Sequence, residues 1–69
     1  MDMVRKEYRV DKRKIGFIKF IFEAHEGVAI ATTLDPQTGH IVLIIAPERV
    51  KTALMIVEDL KKDFKFDEV

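Results

Sequence analysis

The sequence predicts an antiparallel α+β domain of order βαββα, and three observations carry that prediction. Residues 27–46 hold two runs of β-branched and aliphatic residues, Gly-Val-Ala-Ile-Ala-Thr-Thr-Leu and His-Ile-Val-Leu-Ile-Ile-Ala, on either side of the turn formers Asp-Pro-Gln-Thr-Gly. That is the pattern of an antiparallel hairpin with a longer loop. Each flank of the hairpin carries a stretch with helical spacing of apolar residues, and Val4 to Val10 alternates with the period of a half-buried strand.

In the first strand Val4, Lys6, Tyr8 and Val10 point one way and Arg5, Glu7 and Arg9 the other, so one face is charged and suits an exposed position. Asp11 stands where an N-cap belongs, ahead of a helix that begins at Lys12 and runs to about His25, with Gly27 just beyond as its stop. At about 100° per residue, Lys12, Gly16, Lys19, Glu23 and Glu26 share one narrow face. The apolar residues spread over more than half the circumference, more than a single sheet can cover. The surplus, Phe20 on one flank and Ile15 or Phe22 on the other, is expected to meet a second surface.

In the hairpin, Pro36 presets the φ of a type I turn, Asp35 caps it and Gly39 supplies a positive φ. Pro47 opens the second helix at a position where its missing N–H costs nothing. Val50, Ala53, Leu54, Val57, Leu60 and Phe64 form its stripe, with Met55 and Ile56 outside it. Phe64, Phe66 and Val69 alternate with charged residues, which leaves two readings of the C-terminus: the end of the helix or a short fourth strand. The topology that fits is the two-layer ferredoxin-like split βαβ, with strand three between one and two, antiparallel neighbours and both helices on one face.

With Asp35 paired to His40, counting inward sets Leu34 opposite Ile41, Thr32 opposite Leu43 and Ile30 opposite Ile45 on the helix side. The other face then carries Ala29, Ala31, Thr33, Val42 and Ile44, an apolar surface of small side chains. Monomers seldom leave such a patch open, so the expectation is that this face packs against a second copy, as a homodimer, or against a partner protein.

The chain has 69 residues, one domain spanning 1–69, near the size at which folding hides only about 60% of the unfolded surface. It is 48% hydrophobic and 35% charged, with no cysteine, so neither disulfides nor a Cys-ligated zinc supports the core. Its 12 basic and 12 acidic residues cancel, which removes any global field for nucleic acid or anionic lipid. Six of the 12 basic residues lie between Arg5 and Lys14, however. The apolar run Ile15 to Phe22 is too short to span a membrane and contains Lys19. A soluble cytoplasmic protein is expected.

Candidates for chemistry are few. His25 and His40 sit at opposite ends of strand two, roughly 20 Å apart by strand geometry, and cannot share a metal within one subunit. Asp11, Asp35 and His40 should gather at one edge of the sheet and form the best polar constellation, although capping explains Asp11 and turn chemistry explains Asp35. The chain has no serine and no Gly-rich phosphate loop. No catalytic residue, metal ligand or cofactor follows from it. An RNA-stacking sheet needs exposed aromatics, which this one lacks. Basic Arg5, Arg9 and Arg13 keep phosphate contact as the alternative reading.

The segments Tyr-Arg-Val-Asp-Lys-Arg, Ile-Gly-Phe-Ile-Lys-Phe-Ile-Phe-Glu-Ala and Gly-Val-Ala-Ile-Ala-Thr-Thr-Leu-Asp-Pro resemble an uncharacterised bacterial family of short proteins held as a domain of unknown function. The likeness covers nearly the whole chain, with Thr32-Thr33-Leu34-Asp35-Pro36 its sharpest signature, and it implies no activity or site residues. A looser, topological similarity to small-molecule-binding regulatory domains of βαββαβ type fits a homodimer with an effector at the subunit seam. The sequence therefore points to a non-enzymatic, self-associating module acting through protein contacts.

Overall fold

Alternation in β1 (Val4–Val10) buries Tyr8 and Val10 and leaves Arg5 and Arg9 in water. The computed structural model describes residues 2–69. Asp11 follows β1 and accepts a hydrogen bond from the Arg13 amide at 3.0 Å, which caps a 3-10 turn over Lys12–Lys14 leading into α1 (Ile15–Ala24). The chain turns at Gly27, at φ +78°, into β2 (Ala29–Asp35), which pairs with β3 (His40–Ile45). In the turn between them Asp35 Oδ1 accepts from the Gln37 amide at 2.9 Å. Pro47 opens a second 3-10 turn that runs into α2 (Val50–Leu60).

The C-terminus is a strand: β4 (Phe66–Glu68) pairs with β1. Phe66 is buried there with its ring edge-on to Tyr8, centroids 4.9 Å apart. Phe64 belongs to neither element, half-buried between α2 and β4 with its ring 6.2 Å from that of Phe17. The sheet order is β2-β3-β1-β4 with every neighbour antiparallel, compatible with the ferredoxin-like arrangement.

The core joins Ile18 and Phe22 of α1, Ala53, Val57 and Leu60 of α2, and Tyr8, Val10, Ala31, Ile41, Leu43, Ile45 and Phe66 of the sheet. Burying a side chain the size of Leu or Phe is worth about 1.5–3 kcal/mol. Of the expected surplus of the first helix, Phe20 does stand outside the core, whereas Phe22 lies inside this cluster and Ile15 packs against it. Phe20 is 63% exposed and Phe17 is exposed beside it.

The facing of β2 departs from the expected one. Asp35 does pair with His40, but a bulge between Thr33 and Asp35 inserts Leu34 as an extra residue. Every pair beyond it slips by one: Thr33 meets Ile41, Ala31 meets Leu43 and Ala29 meets Ile45. Because side chains alternate, a slip of one residue exchanges the two faces. Ala31 is a core residue with Ala29 packed on the core, while Ile30 is turned out and 66% exposed. The assignment of Ala29, Ala31 and Thr33 to the open face is therefore corrected. The physical gain is room: small Ala29 and Ala31 face the helices where β3 already supplies Ile41, Leu43 and Ile45.

Val42 and Ile44 do lie on the face away from the helices, between Glu7 and Arg5 of β1 and Thr32 and Ile30 of β2. Val42 is only 2% exposed even so, outside the core cluster. Among the described residues, no helix is long and apolar enough to cross a membrane.

Candidate functional site

Asp11, Asp35 and His40 are each engaged by a different partner, local in sequence for the two aspartates and across the sheet for His40. The Arg13 guanidinium donates to Asp11 at 3.1 and 2.9 Å, and these bonds, with that from the Arg13 amide, hold the carboxyl at a pKa of about 2. Asp35 serves its turn. His40 Nε2 lies 2.8 Å from Glu7 Oε1, and because a carboxylate only accepts, Nε2 carries the proton. This bond is the chief reason the Glu7 carboxyl is held below its ordinary range, with Arg5 Nε at 3.3 Å adding to it.

The two histidines occupy opposite layers. His40 sits on the outer face of the sheet beside Glu7, whereas His25 lines the gap between the helices. Among the described residues no group of three or more His, Asp or Glu is placed to hold a metal ion. Arg5 and Arg13 each have a carboxylate partner, and Arg9 faces Asp67 in the β1–β4 ladder.

Two uncovered surfaces remain. The first is the free edge of β2, the outermost strand. From Ala29 to Leu34 it has neither charge nor proline, so the bulge at Leu34, at the far end of the strand, is the one edge-blunting device it carries. Exposed Ile30 and Leu34 stand next to that edge. The opposite edge differs, since β4 is three residues long and carries Asp67 and Glu68.

The second is a groove of about 560 Å³ between α1 and α2. Phe17, Ile21 and His25 line it at i, i+4 and i+8 of α1 and the residue capping it. Thr52, Met55, Ile56, Asp59, Leu60 and Asp63 follow the same one-face spacing along α2 and the turn after it. The Phe17–Phe64 ring contact places the start of α1 beside the end of α2. Asp59 and Asp63 therefore mark the Phe17 end, and His25 with Thr52 the other.

Neither surface was read in full from the sequence. Breadth of the apolar arc on helix one and the position of Met55 and Ile56 outside the stripe of helix two were the signals for the groove. Strand order already set β2 at an edge, and the bulge decides which of its side chains, Ile30 among them, face outward.

No curated protein and no solved structure matches this chain. A family model does match, over residues 8–63, which takes in β1 from Tyr8, both helices and the β2–β3 hairpin. On that match the chain belongs to the family described as a domain of unknown function, DUF4911.

Proposed function

We propose that the protein is a non-enzymatic module that acts through protein contacts and pairs with a second copy of itself along the edge of β2. The observation that carries this reading is the uncharged, proline-free edge from Ala29 to Leu34, flanked by exposed Ile30 and Leu34. Half the backbone amides and carbonyls of such a strand point away from the sheet and need a partner or water. A copy of the same strand, antiparallel about a two-fold axis, supplies matching groups and meets no like charge.

An axis through Thr32 sets Ile30 opposite Leu34 of the partner subunit, and the reverse pair follows by symmetry. Ile30 is 66% and Leu34 42% exposed in the single chain, so the pairing covers apolar area twice over. The resulting sheet has eight strands. The expected outer face of Ala29, Ala31 and Thr33 plays no part, because Ala31 lies in the core, Ala29 packs against it and Thr33 pairs with core Ile41. Phosphate contact through Arg5, Arg9 and Arg13 is less well supported, since Arg5 and Arg13 are neutralised by Glu7 and Asp11.

Sedimentation equilibrium over a range of concentrations tests the reading. A dimer is expected for the native chain, and Thr32→Lys, which charges an exposed edge position, is expected to yield a folded monomer. Val69→Lys, at the far edge, should leave the dimer intact. A native chain that stays monomeric at the highest concentrations, or a dimer indifferent to Thr32→Lys, would overturn the β2 pairing.

A further inference from the structure

We infer that the groove between α1 and α2 is a docking site for one amphipathic helix of a partner protein, seated on Phe17, Ile21, Met55 and Leu60 and oriented by basic residues against Asp59 and Asp63. This surface lies on the helix layer and is independent of the β2 edge.

Shape favours a helix. The lining repeats at helical spacing along α2 from Thr52 to Asp63, a rise of about 16 Å, which matches three turns of a guest helix. An elongated apolar trough read by residues at i, i+3 or i+4, and i+7 is a recurrent mode of helix recognition. Met55, 65% exposed with an unbranched and polarisable side chain, adapts its shape to such a guest.

Charge selects the guest's polar end. The lining contains two carboxylates and no lysine or arginine. Lys62 Nζ reaches Asp59 at 3.6 Å, but both side chains are largely in water, so the pair is weak and displaceable. Asp63 has no ion-pair partner among the described residues. The negative end of the α2 dipole lies at the same place. On the other end, Thr52 and His25 offer only hydrogen bonds.

The test uses the full chain and three fluorescein-labelled 18-residue peptides. The first is a Leu/Lys amphipathic helix, the second its Leu/Glu counterpart, and the third a Leu/Lys scramble of identical composition without helical periodicity. Anisotropy titration is expected to show saturable one-to-one binding of the first peptide, with the other two at least about tenfold weaker, or 1.4 kcal/mol. Met55→Asp should abolish binding, and Asp63→Lys should weaken the Leu/Lys peptide and strengthen the Leu/Glu one. Both positions are exposed, and circular dichroism verifies that the variants fold.

Thr32→Lys separates the two surfaces: it should leave peptide binding unchanged even if the chain proves monomeric. Equal binding of the scramble, or no effect of Met55→Asp, overturns the inference. So does a loss of self-association on Met55→Asp, which would make a second copy the occupant of the groove.

Discussion

The Val10 amide donates to the carbonyl of Gly39 at 2.9 Å, drawing the β2–β3 turn against the end of β1. A Cβ added at Gly39 would run into the Val10 carbonyl oxygen, and the residue's φ of +75° is one that L side chains rarely adopt. Close approach and backbone conformation thus select glycine here separately.

Gly39→Ala is accordingly expected to cost about 2 kcal/mol or more, from the left-handed φ and the displaced backbone together. Gly16 in α1 has open space where a Cβ would go, and Gly16→Ala should instead stabilise by about 0.5–1 kcal/mol. Urea unfolding of the two variants reads both signs. Losses of equal size would show that the turn does not press on β1.

The bulge at Leu34 predicts opposite responses from adjacent residues. Ala31→Leu forces bulk into the core and should destabilise by about 1–3 kcal/mol. Ile30→Thr, on the open face, should change stability by no more than about 0.5 kcal/mol in the monomeric Thr32→Lys background, where no partner covers it. Were the hairpin unbulged, Ile30→Thr would be the damaging change and Ala31→Leu the harmless one.

Acid should weaken the fold through Asp11 and Glu7. Both carboxyls are held below their ordinary values in the folded chain, Asp11 at about 2 by its bonds from Arg13 and Glu7 chiefly by His40. A lowered folded pKa means the unfolded chain binds more protons, so stability rises with pH through this range. Their contribution is complete above the unfolded pKa of about 4; that of Asp11 is lost as pH falls toward about 2, and that of Glu7 as pH falls through its own lowered value. Denaturation midpoints for Asp11→Asn measured between those limits should show a shallower slope than for the native chain. An unchanged slope would mean that the Arg13 bonds do not persist in solution.

The C-terminal strand should matter more than its three residues suggest. Phe66→Ala removes the ring that covers Tyr8 and should cost about 3–5 kcal/mol, comparable with the whole stability of many domains of this size. Val69→Ala, an exposed neighbour, should stay within about 0.5 kcal/mol. Thermal melts of both decide whether β4 is structural or merely docked.

What the amino-acid order determined by itself is everything written in local chemistry. The Asp11 cap, the Asp35-Pro36 turn with its Asp35–His40 pair, Pro47 ahead of the second helix and the alternation of β1 all depend on neighbours within a few residues. These suffice for the fold class and for element order through α2, while the fourth strand, Phe66–Glu68, came from the tertiary structure. Tertiary structure decided the rest. A bulge costs little locally and exchanges the faces of a whole strand, so whether Ile30 or Ala31 entered the core turned on the volume left beneath α1. When more than half of a helix is apolar, spacing does not say which side turns inward. Packing α1 on Ile18 and Phe22 settled that, leaving Phe17 and Phe20 outside and Phe17 on the wall of a groove built by two helices distant in sequence.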